Sequence, residues 1–306
     1  MFLKKPKFWD YSGLSFWSVL LYPLSLLFLL TSLIDKVLKT KKKFPIQIIC
    51  VGNIYVGGTG KTPLALELYN ILKLRGKNPG FVKKSYNYLY DEIIMLKKFG
   101  KTFVNKNRKK AIKSLISSGC DIAILDDGFQ DFSIAKNFSI LCFNSKQLIG
   151  NGFIIPSGPL RESFQSIKRA DCIVINGNKV LDFESKIKKI NKNLKIFYSK
   201  YKINNLERFK YKKIIAFAGI GNPLNFFELL KENNINLKKT YSFPDHHFYS
   251  QKDFDKIIGD NATKIVTTEK DYYRMNDEQK KNCYCVVVDL EIENKDEFIN
   301  LIKSKL

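Results

Sequence analysis

The stretch Ile46-Gln47-Ile48-Ile49-Cys50-Val51-Gly52-Asn53-Ile54-Tyr55-Val56-Gly57-Gly58-Thr59-Gly60-Lys61-Thr62-Pro63 decides the fold, because a short apolar run enters a glycine-rich turn that ends in Lys-Thr. A helical run, Leu64 to Arg75, follows it. Strand, glycine loop, Lys-Thr and helix, in that order, make a phosphate-binding loop. Glycines let backbone N–H groups wrap around phosphate oxygens, Lys61 neutralises the β and γ phosphates, and the Thr62 hydroxyl ligates Mg²⁺. Pro63 fits the first helical turn, where its missing N–H is not needed. The expected ATP-binding residues are therefore Val56, Gly57, Gly58, Thr59, Gly60, Lys61, Thr62 and Pro63. The strict motif has glycine where this chain has Tyr55, and the pair Gly57-Gly58 is expected to supply the missing freedom.

A second apolar run, Ile122-Ala123-Ile124-Leu125, ends in Asp126-Asp127-Gly128. A strand that delivers carboxylates at its end is how such folds present acids to Mg²⁺ or its waters, so Asp126 and Asp127 are expected metal-site groups. Ser139 to Phe143 and Cys172 to Ile175 also read as buried strands, alternating with helical stretches. This predicts an α/β fold with a mostly parallel sheet. Lys/Asn-rich stretches near 177–193 and 202–213 interrupt the pattern around a strand at Ile196 to Tyr201. Beyond them Ile214 to Ala218, Lys264 to Thr268 and Tyr284 to Val288 predict a smaller α/β unit. The expected organisation is a membrane-associated segment over 1–40, a phosphate-loop domain over 41–207 and a smaller α/β domain over 208–306.

Leu14 to Ile34 carries no charge, and as a helix rising about 1.5 Å per residue it reaches about 30 Å, enough to cross a bilayer core. Lys4, Lys5 and Lys7 precede it and Lys36, Lys39, Lys41, Lys42 and Lys43 follow, so charge gives no orientation. Spanning the membrane and lying on it both stay open, and a buried core helix or a signal peptide is the bland alternative. The net charge of +23 over 306 residues favours anionic partners, although 46 Lys against 6 Arg also fits AT-rich codon usage. The lysines are scattered, which argues against a nucleic-acid surface. Six cysteines without zinc spacing sit mostly in apolar runs, and Cys283-Tyr284-Cys285 alternates along a strand, so a reducing, cytoplasmic chain is expected.

The two histidines are adjacent, in Phe243-Pro244-Asp245-His246-His247-Phe248. Neighbouring side chains on an extended segment diverge, which disfavours a metal pair; a structural loop or a catalytic imidazole tuned by a carboxylate remains. Arg161 suits a phosphate or sugar-lipid contact, and equally a salt bridge at a helix start.

Together these stretches resemble the tetraacyldisaccharide 4'-kinases, which phosphorylate the lipid A precursor in Gram-negative bacteria. The resemblance rests on VGGTGKTP at 56–63, Asp91-Glu92, ILDDGFQ at 124–130, PSGPLRE at 156–162, FAGIGNP at 217–223, FPDHH at 243–247 and TTEKD at 267–271. It implies that Asp91 is the catalytic carboxylate taking the proton of the sugar 4'-hydroxyl, with His246 orienting or tuning it beside Lys61. Glu92 joins Thr62, Asp126 and Asp127 as a possible metal-site group, and Arg161 is the expected substrate contact. ATP and Mg²⁺ are the implied cofactors. The expected partners are a lipid-linked disaccharide and the inner-membrane lipid surface at its cytoplasmic face, with no nucleic acid, and the chain is expected to be a monomer with ATP and sugar in a cleft between its domains. The family's Ser-Arg-Gly-Tyr-Gly segment reads Lys83-Lys84-Ser85-Tyr86-Asn87 here, Tyr90 replaces the glycine before Asp-Glu, and Asp131 replaces the histidine after Gly-Phe-Gln. A membrane-recruited ATPase switch is the alternative from another class, and it needs neither Asp91 nor His246. A GTPase lacks its guanine-reading motif here, and a membrane scaffold leaves Gly60-Lys61-Thr62 without a purpose.

Overall fold

The apolar run before the glycine loop forms β1 (Gln47–Gly52), buried from Ile48 onward, in a computed structural model that describes residues 5–11, 13–86, 90–210, 213–258 and 264–306. Lys4 and Asn87, quoted above, lie outside the described residues. Ahead of β1, helix α1 (Phe16–Leu38) starts on Ser15, whose Oγ accepts the Ser18 N–H. After β1 come α2 (Lys61–Lys73), β2 (Pro79–Lys84), α3 (Tyr90–Phe99), β3 (Thr102–Asn105), α4 (Arg108–Ser117) and β4 (Ile122–Asp126). Next are β5 (Phe138–Asn144), β6 (Cys172–Asn176), α5 (Leu181–Ile190) and β7 (Lys195–Ile203). The remainder forms β8 (Ile214–Ala218), α6 (Pro223–Glu232), β9 (Leu237–Ser242), α7 (Gln251–Ile258), β10 (Lys264–Thr268) and α8 (Glu269–Arg274). It closes with α9 (Asp277–Lys281), β11 (Tyr284–Val286), β12 (Val288–Ile292) and α10 (Lys295–Lys303).

Eight strands form one sheet in the order β12-β7-β6-β5-β1-β4-β2-β3. β1 pairs in parallel with both β4 and β5, and every residue of β4, β5 and β6 is buried. Helices cover both faces of a parallel sheet, so these strands read as unbroken apolar runs and not as alternation. The chain builds outward on one side of β1 through β2, β3 and β4, then crosses to the other side at β5. That reversal frees the carboxyl ends of β1, β4 and β5 from crossover connections, and such a switch point is where open α/β sheets bind ligands. Four further strands, β11-β10-β8-β9, form a second sheet in which all pairs are parallel.

The chain divides into a larger unit, Lys5–Lys84, Gly100–Lys200 and Glu291–Leu306, and a smaller one comprising Ser85–Phe99 and Tyr201–Leu290. These are not the contiguous segments 41–207 and 208–306 expected from composition. Ser85–Phe99 leaves the kinase sequence to carry α3 into the smaller unit, and Glu291–Leu306 returns to the larger one. The return is held by packing: Phe298 of α10 is fully buried and meets the Phe197 ring edge-on at 5.1 Å. Burying such a ring stabilises by about 2–3 kcal/mol. The single strand expected at Tyr284 to Val288 is two strands in two different sheets, β11 and β12. The Lys/Asn-rich stretch at 177–193 contains α5, whose Phe183 and Ile187 are buried.

α1 belongs to the larger unit and lies against it by its polar residues. Ser25 Oγ donates to Ile154 O at 2.8 Å and contacts Ser157 Oγ at 2.9 Å, Asn151 Nδ2 donates to Ser18 Oγ at 3.1 Å, and the Tyr22 ring meets Phe153 edge-on. Only Ser18 and Ser25 of this helix are buried, which excludes the core-helix alternative, while Phe16, Leu20, Leu24, Leu27, Leu30 and Ile34 are exposed.

Candidate active site

The loop after β1 is shaped from within. Asn53 is fully buried, and its Nδ2 donates to Tyr55 O at 2.5 Å and to Thr59 Oγ1 at 3.0 Å. Val56 N–H donates to Pro159 O at 2.9 Å, so that amide is committed to the loop's own support. Gly57 and Gly60 turn with φ of 126° and 90°, conformations that side chains resist, and Gly60 caps α2 immediately before Lys61 and Thr62. Pro63 stands within the first turn of α2, whose first four N–H groups lack intrahelical partners. Tyr55, the departure from the strict motif, has a structural reason. It is fully buried, and its hydroxyl donates to Asp10 Oδ1 at 3.0 Å and accepts from Lys5 at 2.7 Å, tying the segment before α1 to the loop.

The carboxylates of the β4 end face this loop. Thr62 Oγ1 donates to Asp126 Oδ2 at 3.2 Å, and Lys83 Nζ of β2 lies 2.6 Å from the same oxygen. Asp126 Oδ1 is buried without a hydrogen-bond partner. Asp127, in a left-handed conformation with φ 61°, meets Arg161 Nη1 at 2.9 and 3.1 Å and Lys61 Nζ at 3.9 Å. Burial alone would raise the Asp127 carboxyl, but Lys61, Arg161 and Lys83 together hold it well below the usual carboxylate range. Arg161 is therefore bound to the residue after β4 and not to a helix start, and its own N–H is fixed by Ile54 O at 2.7 Å.

The smaller unit gathers its own cluster at the ends of β8 and β10 and the start of α3. Asp91 is almost fully buried. Its Oδ1 lies 3.4 Å from His246 Nδ1, and its Oδ2 accepts from Arg274 Nε at 3.0 Å and Nη2 at 2.9 Å. Burial pushes the Asp91 carboxyl up, and His246, Arg274 and Lys270 more than reverse that, so it is held below its ordinary value. Arg274 also donates to Gly219 O at 2.7 Å and to Asp271 Oδ1 at 3.1 Å. Asp271 is fully buried, and burial outweighs Arg274, Thr268, Tyr249 and the Gly219 N–H to leave it above its ordinary value. His246 has φ 57°, a conformation unusual for a histidine, and its N–H donates to Gly219 O at 3.0 Å. A Cβ on Gly219 would come within 2.9 Å of Tyr249 Oη and 3.0 Å of Pro244 O, so glycine lets the Asp-His-His loop close over it. Glu92 accepts Lys270 Nζ at 2.5 Å. His247 takes no part in the Asp91 pair: its Nε2 lies 3.1 Å from Asp253 and its ring stacks on Phe243.

The residues expected from sequence fall in two clusters, one in each unit, and each cluster holds a cation that the sequence did not single out. Arg274 lies three residues beyond the quoted Thr-Thr-Glu-Lys-Asp stretch, one turn on from Asp271 along α8, and is one of only six arginines. Lys83 follows the apolar pair Phe81-Val82 inside a buried strand, where a lysine needs a partner.

The LpxK family model, tetraacyldisaccharide-1-P 4'-kinase, matches residues 17–306. A tetraacyldisaccharide 4'-kinase of Pelagibacter ubique (strain HTCC1062) is 43% identical over 314 residues, covering 99% of this chain and 98% of that protein. One of Rickettsia canadensis (strain McKiel) is 33% identical over 328 residues, covering 98% of this chain and 96% of the relative. The crystal structure of LpxK from Aquifex aeolicus in complex with ATP superposes with a TM-score of 0.71 at 25% identity, over 94% of this chain and 98% of that one. A phosphate-binding loop aimed at a strand-end aspartate, joined to a match that runs nearly the whole length, places this chain in the tetraacyldisaccharide-1-P 4'-kinase family.

Proposed function

We propose that the chain transfers the γ-phosphoryl group of ATP to the 4'-hydroxyl of the tetraacyldisaccharide 1-phosphate precursor of lipid A. The observation that carries this reading is the contact of Thr62 with Asp126 beneath a Lys61-bearing glycine loop, in a chain matched to this kinase family over residues 17–306.

Phosphoryl transfer leaves the protein mainly positioning and charge stabilisation to do. The N–H groups at the start of α2, with Lys61, hold the donor phosphates. Thr62 and Asp126 fit Mg²⁺, because Asp126 Oδ1 is a buried oxygen with no hydrogen-bond partner beside the Thr62 hydroxyl. These two residues would hold the ion, which supplies neutralising charge to the phosphates when bound. Asp127 orients Lys61 and Arg161, and the partly exposed guanidinium of Arg161 is assigned to a phosphate or sugar-lipid oxygen of the substrates. Asp91 accepts the hydroxyl proton through Oδ1, the oxygen facing His246, while Arg274 occupies Oδ2. Glu92 is assigned to holding Lys270, and a metal role for it is tested by Glu92→Gln in a metal titration. The ATPase-switch alternative leaves the Asp91, His246 and Arg274 cluster unexplained.

α1 supports a membrane-surface setting. Ser18 and Ser25 pack on the rest of the larger unit and most of the helix's leucines are exposed, which suits a helix lying in the interface better than one crossing it. The lysines after it suit anionic headgroups. The acceptor's acyl chains and the supply of ATP assign the enzyme to the cytoplasmic face of the inner membrane. The test is transfer from labelled ATP to the tetraacylated disaccharide 1-phosphate in detergent, with wild type, Asp91→Ala and Lys61→Ala. Loss of lipid product in both variants supports the assignment. ATP hydrolysis without lipid product, surviving Asp91→Ala, sinks it.

A further inference from the structure

Lys83 is a lysine in the interior of the larger unit. Its ammonium lies 2.6 Å from Asp126 Oδ2, and the two side chains are 2% and 0% exposed. The sheet puts it there. β2 runs parallel to β4 with Val82 level with Leu125, so the next residue along β2 comes level with Asp126. A buried ammonium is tolerated only against a matching carboxylate, and Asp126 supplies one. The same Oδ2 also accepts the Thr62 hydroxyl at 3.2 Å, whereas Oδ1 has no hydrogen-bond partner. Both fixed contacts thus fall on one oxygen and leave the other to a ligand.

We propose that Lys83 is a resident counter-cation of the divalent-metal seat: it fixes Asp126 through Oδ2, leaves Oδ1 for the metal, and sets how tightly the metal binds. A divalent ion approaching Asp126 meets a carboxylate already neutralised. Its attraction to the site is weaker than it would be with serine at position 83. In return the seat is electrically balanced whenever metal and nucleotide have left, so the folded chain never carries an uncompensated carboxylate at the centre of its sheet. The inference rests on the reading above that Thr62 and Asp126 hold Mg²⁺.

The experiment uses the full chain in detergent with a non-hydrolysable ATP analogue, replaces Mg²⁺ by Mn²⁺, and counts free Mn²⁺ by electron paramagnetic resonance. Lys83→Ser and Lys83→Met are expected to bind Mn²⁺ about tenfold more tightly than wild type, equivalent to about 1.4 kcal/mol. Lys83→Arg keeps the charge and is expected to bind like wild type. The metal-free melting temperature falls in the Ser and Met variants and recovers when metal is added. Unchanged or weaker Mn²⁺ binding in folded Ser and Met variants overturns the proposal. Where neither accumulates as folded protein, Lys83→Met combined with Asp126→Asn decides. The neutral pair should melt above either single variant, and a double variant no more stable than the singles refutes the pairing. Asp126→Asn alone separates the two readings. Wild-type Mn²⁺ affinity in that variant removes the metal seat itself, whereas loss of metal there with unchanged affinity in Lys83→Ser removes only the role of Lys83.

Discussion

Replacing Arg274 by methionine gives the sharpest test of the smaller unit, because one side chain there serves two buried acids. Its guanidinium is 3% exposed and donates twice to Asp91 Oδ2, at 3.0 and 2.9 Å, and once to Asp271 Oδ1 at 3.1 Å. Removing one partner of such a buried pair costs about 3–5 kcal/mol, since the remaining charge stays desolvated. The smaller unit should therefore unfold at clearly lower denaturant in Arg274→Met, and Arg274→Lys should recover part of the loss without the planar fork. The pH behaviour separates positioning from mere stability. Burial raises the Asp91 carboxyl, and His246, Arg274 and Lys270 bring it below its ordinary value. With a depressed value, the stabilisation from Asp91 is fully present above the unfolded carboxylate range and is lost as pH falls through the folded value. Without Arg274, burial is less opposed, so the carboxyl moves up. A base must be ionised to accept a proton, and the acid limb of kcat/KM for lipid phosphorylation should then move to higher pH. Measured on folded Arg274→Met, an acid limb unchanged from wild type refutes the idea that Arg274 keeps Asp91 ionised for the reaction.

Three further outcomes are expected. Lys61→Ala should lower phosphoryl transfer by roughly a hundredfold to a thousandfold, the loss typical of a missing donor to developing charge, and labelled-ATP assays with near-normal product would take the loop out of the reaction. Gly219→Val should lower kcat while leaving KM for ATP near wild type, because its side chain meets Tyr249 and Pro244 and displaces the loop bearing His246; steady-state kinetics with normal kcat would contradict this. Leu24→Glu with Leu27→Glu removes two side chains that are 52% and 59% exposed on α1. With about 1.5 kcal/mol lost for each leucine no longer buried in lipid, co-sedimentation with anionic vesicles should weaken by roughly a hundredfold, and unchanged binding would show that α1 is not the membrane contact.

The larger unit was legible in the sequence where chemistry and burial coincide. Ile48 to Val51, Ile122 to Leu125 and Cys172 to Ile175 are apolar because they are covered on both faces; Asp126 ends the second run with Asp127 after it, and Lys61-Thr62 opens the helix after the loop that leaves the first. What escaped lies where local sequence and long-range placement disagree. β9 reads Leu-Lys-Lys-Thr-Tyr-Ser with three consecutive exposed residues, so nothing in its pattern announces a strand, and it is held by its ladder to β8. β2 ends in Lys83-Lys84, which looks like a surface pair until β4 brings Asp126 alongside. The unit boundary hid for the same reason. Ser85–Phe99 sits in the middle of the kinase sequence, yet Asp91 finds His246 and Arg274 more than 150 residues away, and only their shared ion pairs reveal which unit α3 serves. Composition reports what a segment is made of, whereas a buried ion pair depends on which segment the fold brings opposite it. A lysine or aspartate inside an apolar strand is thus the readable trace of a partner that spacing alone cannot name.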